Sequence, residues 1–160
     1  MQRAENKDGV DLNRDYGTSP QTTEVRNHLK WLGEQTFTAA ACMHEDYETE
    51  GAYLFELKPG ESLSNAQRFL EAMQPFTGIE KRQEIDEMPN DNGLMLPSRD
   101  ELDKDRDDLP EALKLYFDHA PWCYTLETPS QKSITNRISA QVAAVDALSQ
   151  IALEGGFRPL

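Results

Sequence analysis

Long apolar runs are absent from this sequence. None approaches the ~20 residues that a membrane-spanning helix requires. The N-terminus is polar from Gln2 onward and lacks the hydrophobic core of a secretory signal. Both absences exclude a membrane partner and favour the cytoplasm, with the reservation that an export signal would lie upstream if the chain is part of a longer one.

Basic residues are scarce. The 160 residues include 16 Lys and Arg against 29 Asp and Glu, which gives a formal net charge of −13. A surface of this sign would repel a phosphate backbone instead of neutralising it, so nucleic acid is excluded as a partner. An excess of acidic residues most often serves solubility.

Cysteine is scarce as well, with Cys42 and Cys123 the only two. Both lie among apolar residues and far apart in sequence, which favours two buried thiols over a disulfide. A chain of 160 residues has the size of one domain and can bury a hydrophobic core. We expect residues 1–160 to form a single domain.

The sequence does contain β-favouring runs that alternate with segments of helical periodicity, a pattern that predicts an α/β layered domain. The small apolar run 37–45 predicts a strand buried on both faces. The first helix is predicted to follow a cap at Ser19 and to end at Gly33. The predicted helices span 20–32, 62–76, 109–120 and 132–153, and the predicted strands 37–45, 51–57, 93–97 and 122–129.

The last predicted helix carries one apolar stripe, which predicts the face that packs on the core. The stripe consists of Ile134, Ile138, Val142, Val145 and Ala152.

Residues 80–108 differ from the rest of the chain. They include eleven acidic and five basic residues, with Pro89, Gly93 and Pro97 as breakers of regular structure. This composition predicts a long solvated excursion over the surface, with a short strand at 93–97.

Two ionisable side chains are predicted to lie at the carboxyl ends of strands, where open α/β sheets form their sites. His44 precedes a run of carboxylates, which fits a metal ligand or, alternatively, a hydrogen-bonded surface histidine. Glu127 ends an otherwise apolar strand, where burial of its charge is costly unless the charge is paired or used. The alternative for Glu127 is a carboxylate that caps the next helix.

A third candidate is the pair Asn13 and Arg14 in GVDLNRDYG, residues 9–17. A guanidinium binds carboxylates in a planar bidentate fashion, and an asparagine beside it adds a neutral hydrogen bond. The pair therefore predicts a carboxylate-binding site. The alternative is a salt bridge from Arg14 to Asp11 or Asp15.

Three stretches, NKDGVDLNRDY, MHEDYE and YTLETPS, occur in this order. Together they resemble the zinc carboxypeptidases of the carboxypeptidase A type, and most closely the bacterial members with a His-Glu-Asp sequence at the third zinc ligand. The resemblance extends over essentially the whole chain. It implies a three-layer α/β/α domain with a mixed central sheet, which is the zinc-carboxypeptidase-like (phosphorylase/hydrolase-like) fold.

The resemblance implies a role for each candidate residue. His44 would be the last ligand of a catalytic Zn²⁺, and Glu127 would be the general base that deprotonates the zinc-bound water. Asn13 and Arg14 would hold the terminal carboxylate of the substrate, and Arg3 would steady the developing oxyanion. These roles are physically coherent, because zinc brings the pKa of its water near ~7 and a cation stabilises the tetrahedral oxyanion.

The sequence departs from the family at the first two zinc ligands, which a His-x-x-Glu motif upstream of the Asn-Arg pair should supply. None of the three histidines is followed by glutamate at the third position, where Trp31, Tyr47 and Trp122 stand instead. We therefore expect the N-terminal part of the catalytic domain to be missing and the chain alone to be inactive. An upstream reading frame that encodes His-x-x-Glu would support this expectation.

Three functions remain open from the sequence. The first is a metallocarboxypeptidase that removes the C-terminal residue of a peptide. The second is a zinc-dependent deacylase of N-acyl amino acids, as in the related aspartoacylase and succinylglutamate desuccinylase group, which share the Asp-Leu-Asn-Arg tetrapeptide. The third is a non-catalytic fragment or binding module, which the absent motif favours. Both enzyme hypotheses require a substrate with a free carboxylate.

Overall fold

The fold is built on a mixed β-sheet. A computed structural model describes residues 5–97 and 102–158. Its strands are β1 Ala40–Asp46, β2 Tyr53–Leu57, β3 Glu84–Ile85, β4 Met88–Pro89, β5 Leu94–Met95 and β6 Cys123–Pro129. Four of them form one sheet in the order β1-β6-β2-β5, in which β6 runs parallel to β1 and antiparallel to β2, while β5 runs parallel to β2. The remaining two, β3 and β4, form a separate antiparallel hairpin.

Helices cover both faces of the sheet. They are α1 Thr23–Leu32, α2 Ala66–Thr77, α3 Glu111–Asp118 and α4 Ile134–Leu153, preceded by a short 3₁₀ helix Leu12–Arg14. On one face, α2 and α4 bury a core with β2 and β6 that includes Leu54, Phe69, Tyr124 and Ile151. On the other face, α1, α3 and the 3₁₀ helix pack against Cys42 and Cys123. The predicted α/β/α arrangement with a mixed sheet is confirmed.

The first helix begins three residues later than predicted, because another residue provides its cap. Thr22, and not Ser19, accepts a hydrogen bond from the backbone amide of Val25 at 3.3 Å. Ahead of the helix, the carboxylate of Asp15 accepts hydrogen bonds from the backbone amides of Gln21 and Thr22, at 2.7 and 2.8 Å. These bonds hold the chain extended up to Thr22, so the helix cannot start earlier. Its predicted end at Gly33 is confirmed, since α1 stops at Leu32 and Gly33 has a φ of +50°.

The predicted burial of β1 on both faces is wrong. In the described part of the chain β1 is an edge strand that pairs only with β6, and Met43 is 60% exposed. The predicted core stripe of α4 is also wrong, since Ile138 and Val142 are more than half exposed. The helix instead buries its small face, which consists of Ala140, Ala144 and Ala147 with Ile151. Both faces of α4 are apolar, and the alanine face lets it approach α2 and β6 closely.

Residues 80–97 of the acidic segment contain more regular structure than the predicted solvated excursion. Its predicted short strand is confirmed as β5, and the hairpin of β3 and β4 was not predicted. Ile85 and Met95 are buried in a small cluster with Tyr53 of β2. This cluster fixes the hairpin against the sheet.

Both cysteines are buried free thiols, as predicted. Within the described ranges, no helix is long and apolar enough to cross a membrane.

Candidate functional site

Three neighbouring strands bring three polar side chains to one edge of the sheet. His44 of β1 lies opposite Glu127 of β6 in the parallel register, and Glu127 lies opposite Tyr53 of β2 in the antiparallel register. Residues directly opposite each other on paired strands project from the same face. His44, Glu127 and Tyr53 therefore stand side by side on the face that carries α1 and α3.

His44 is half-buried, and its Nδ1 lies 3.9 Å from Oε1 of Glu127. Burial lowers the pKa of the imidazole, and the positive charge of Arg14 lowers it as well. The carboxylates of Glu111 and Asp11 act in the opposite direction, but the pKa stays below its usual value. The ring is therefore neutral at pH 7, which is the form that binds metal ions. The backbone carbonyl of His44 accepts hydrogen bonds from the side chains of Gln141 and Thr128, at 3.1 and 3.3 Å, which fix the end of β1.

Glu127 has a side chain only 12% exposed. Burial raises the pKa of its carboxyl group to about 8, with smaller contributions from the carboxylates of Asp46 and Asp86. A group that titrates near neutrality can both accept and return a proton in a catalytic cycle. Ser133, and not Glu127, caps α4 by accepting the amide of Asn136 at 3.2 Å, so the helix-capping alternative is wrong.

A cavity of about 350 Å³ opens over Glu127. The sheet contributes its floor through Tyr53, Phe55, Leu57, Thr125 and Glu127. The other lining residues come from the N-terminal motif, the acidic segment and α3 with the residue before it: Asn13, Arg14, Asp86, Met88, Pro97, Arg106, Pro110, Ala112 and Leu113. The structure thus brings the predicted Asn-Arg pair and Glu127 to one cavity.

The 3₁₀ helix positions Asn13 and Arg14. Asp11 caps the start of this helix, because its side chain accepts a hydrogen bond from the backbone amide of Asn13 at 2.9 Å. The side-chain oxygen of Asn13 accepts the amide of Glu111 at 3.0 Å, and Nη1 of Arg14 donates to the carbonyl of Asn13 at 3.1 Å. No ion pair within residues 5–97 and 102–158 joins Arg14 to Asp11 or Asp15, so the predicted salt-bridge alternative is not found there.

Arg3, which the family resemblance places near the developing oxyanion, lies outside the described residues.

The described residues do not make up a complete metal site. Among them, no group of three or more His, Cys, Asp or Glu side chains could hold a metal ion. His28 bonds to the hydroxyl of Tyr16 at 2.7 Å, and Nδ1 of His119 lies 2.8 Å from the carbonyl of Gln35. These two rings are engaged elsewhere, and His44 is the histidine that lies beside Glu127.

Sequence reasoning missed Tyr53 and Asp86. Tyr53 is buried, and its hydroxyl donates to Oδ2 of Asp46 at 3.0 Å. Burial raises the pKa of Tyr53, and the carboxylates of Glu127 and Asp46 raise it further. Tyr53 begins a strand antiparallel to β6, so only the strand directions bring it to the site. Glu45 follows His44 in the sequence, but its carboxylate forms an ion pair with Arg137 of α4.

Comparison with known proteins supports the fold. No protein-family model matches the chain, and no curated protein matches it significantly. Three similar solved structures are of proteins described as putative metallopeptidases. Those from Shewanella denitrificans and Shewanella baltica have TM-scores of 0.74 at 22% and 19% identity, and the one from Shewanella amazonensis has a TM-score of 0.71 at 18%.

The match covers most of this chain and about half of each other one. For the Shewanella denitrificans protein, the match covers 92% of this chain and 53% of the other. For the Shewanella baltica and Shewanella amazonensis proteins, it covers 91% of this chain and 56% of the other. This chain shares their fold. At these identities the likeness concerns the fold alone, so the narrower resemblance to carboxypeptidase A remains a hypothesis.

Proposed function

We propose that this protein is a metal-dependent hydrolase, and more specifically a zinc metallocarboxypeptidase, that cleaves an amide bond next to a free carboxylate. The observation that carries the proposal is the cavity in which Asn13 and Arg14 face the same space as Glu127, with His44 beside it. The shared fold with putative metallopeptidases supports the broader class.

Arg14 is proposed to bind the terminal carboxylate of the substrate, with the side-chain amide of Asn13 beside it. This contact positions the scissile amide over Glu127. Glu127 accepts a proton from the attacking water while the water oxygen forms a bond to the carbonyl carbon of the scissile amide. When the carbon–nitrogen bond breaks, Glu127 returns that proton to the leaving amine, so one water is consumed and one acid and one amine are released.

His44 is proposed as one ligand of the metal. A catalytic zinc needs three protein ligands, and one imidazole does not supply them, so two further ligands would have to come from outside the described residues.

Carboxylate recognition can be tested by binding alone. We would titrate the protein with propionyl-alanine and with propionyl-alaninamide, which differ only in the terminal charge, and follow binding by NMR. Arg14 is exposed, so we expect a preference for the acid of about five- to thirtyfold, or about 1–2 kcal/mol. Arg14→Met should abolish this preference. Equal affinity of the wild type for both ligands would remove Arg14 from the site.

Hydrolysis is a separate test. The protein, as this chain and as any longer product of its gene, would be incubated with Zn²⁺ and acetyl-alanyl-alanine, and released alanine would be quantified. We expect turnover to fall by roughly 10²–10⁴-fold in Glu127→Gln, which keeps the shape of the side chain and removes the base. Near-normal turnover in Glu127→Gln would overturn its role as a base. Cleavage of propionyl-alanine but not of the blocked dipeptide would identify a deacylase instead.

A further inference from the structure

Four charged residues line the cavity: Glu127, Arg14, Asp86 and Arg106, which forms an ion pair with Asp108. Arg14 and Asp86 lie on different flanks of Glu127. Arg14 adjoins Asn13, which is bonded to the start of α3, and α3 packs over β1 and β6. Asp86 lies at the tip of the hairpin of β3 and β4, on the side of β2. In the sheet, β6 with Glu127 lies between β1 and β2. Arg14 and Asp86 therefore place opposite charges on the two sides of Glu127.

The hairpin holds Asp86 in a defined position. Ile85 and Met88 pair at its base, and both belong to one hydrophobic cluster with Tyr53 and Phe55 of β2. Asn90, which follows the hairpin, donates from its side chain to the carbonyl of Arg82 at 2.6 Å. The turn has Asp86 and Glu87 at φ values of +49° and +64°. Asp86 therefore belongs to a two-residue turn that is anchored on the sheet.

The carboxylate of Asp86 has no cationic partner within the described ranges, where no Lys, Arg or His forms an ion pair with it. A second carboxylate, that of Asp46 at the end of β1, accepts a hydrogen bond from the hydroxyl of Tyr53, the β2 residue that shares a hydrophobic cluster with the hairpin. A ligand that carries a positive charge at the hairpin end of the cavity would match the charge of Asp86.

The direction of the substrate in the cavity follows from the proposed function, on which this inference rests. If the carboxylate of the leaving amino acid binds Arg14 and the scissile amide lies at Glu127, the acyl part extends toward Asp86. We propose that Asp86 selects substrates with a protonated amine on the acyl side of the scissile bond. The cavity would thus take short zwitterionic peptides, with the carboxylate at Arg14 and the ammonium group at Asp86.

The test compares two ligands that differ only in the amine. Alanyl-alanine carries the ammonium group, while propionyl-alanine has the same amide and carboxylate without it. We would titrate wild type, Asp86→Asn and Glu87→Gln with both by NMR. Asparagine keeps the size of the side chain and tolerates a positive φ, so Asp86→Asn should fold normally, which its thermal unfolding would check. Glu87→Gln is the matched control, because it removes a charge from the same turn at a residue that does not line the cavity.

We expect wild type and Glu87→Gln to bind alanyl-alanine about three- to tenfold more tightly than propionyl-alanine, a modest factor because Asp86 is exposed. In Asp86→Asn the two ligands should bind equally. The wild-type preference should also shrink as salt is raised, which tests the charge interaction without any variant.

The possible failures are distinguishable. If wild type prefers propionyl-alanine to its amide but does not distinguish it from alanyl-alanine, Asp86 is not a selector and the proposed function stands. A preference for the amine that persists in Asp86→Asn would also show that Asp86 is not the selector, and it would leave the proposed function standing. If none of the ligands binds, both proposals are overturned.

Discussion

The side-chain oxygen of Asn13 accepts a hydrogen bond from the backbone amide of Glu111, at 3.0 Å and 98 positions further along the chain. Glu111 is the first residue of α3, and the preceding Pro110 provides no side-chain cap. Asn13 therefore caps a helix that is remote in sequence. The same bond ties the 3₁₀ helix, and with it Arg14, to the wall of the cavity.

We expect Asn13→Ala to destabilise the fold by about 1 kcal/mol, which is the usual effect of losing a helix cap. Asn13→Asp keeps the acceptor and places a negative charge at a helix N-terminus, so it should be about as stable as wild type. It should nevertheless bind propionyl-alanine more weakly, because its charge lies beside Arg14. Urea unfolding and NMR titration would measure the two effects. Equal stability of Asn13→Ala and wild type would contradict the cap.

Local patterns predicted the parts of the fold that depend on local chemistry. The alternating run before Pro129 predicted β6, and the residues around Gly93 predicted β5. They could not show that β2 runs antiparallel to β6, and that direction alone brings Tyr53 opposite Glu127. The candidate site rests on motifs from three stretches, and the side chains that only strand direction or the hairpin brings there are absent from it.

The two errors about packing have a common cause. A helix with apolar residues on both faces contains no signal for which face is buried, so the larger side chains of α4 were assigned to the core. In the same way, the small apolar run around Cys42 did not reveal that β1 is an edge strand in the described ranges. Both features depend on what lies next to an element, and periodicity does not contain that information.

The buried face of α4 can be checked by mutation. Ile138→Ala should change the free energy of unfolding by less than about 0.5 kcal/mol, since Ile138 is 56% exposed. Ile151→Ala is the matched control in the same helix, at a fully buried position, and should cost about 2–5 kcal/mol. Urea unfolding of both variants gives the comparison. A similar cost at the two positions would mean that Ile138 is buried.

Asp15 should make the fold sensitive to acid. Burial alone would raise the pKa of this carboxyl group, but hydrogen bonds from Gln21 and Thr22 outweigh burial and leave the pKa below its usual value. Because the pKa is lower in the folded state than in the unfolded one, Asp15 stabilises the fold above pH ~4. This contribution is lost as the pH falls from about 4 through the pKa of the folded state.

The measurement is urea unfolding of wild type and Asp15→Asn at several pH values. The difference in unfolding free energy should be largest near neutral pH and should shrink below pH ~4. Taking the difference removes the contributions of other carboxylates with lowered pKa, such as Glu80. A difference that does not change with pH would show that the charge of Asp15 contributes nothing to stability.

Zinc binding tests whether the described residues hold a complete metal site. A catalytic zinc is held by three protein ligands, whereas the described residues offer His44, with Glu127 at 3.9 Å, and no group of three. The 160-residue chain should therefore bind Zn²⁺ weakly, by equilibrium dialysis at neutral pH. His44→Ala should abolish the residual binding, while His28→Gln should leave it unchanged, because His28 is bonded to Tyr16 and not to Glu127. One tightly held Zn²⁺ per chain would show that the site is complete within these 160 residues. Weak binding that survives His44→Ala would remove His44 from the site.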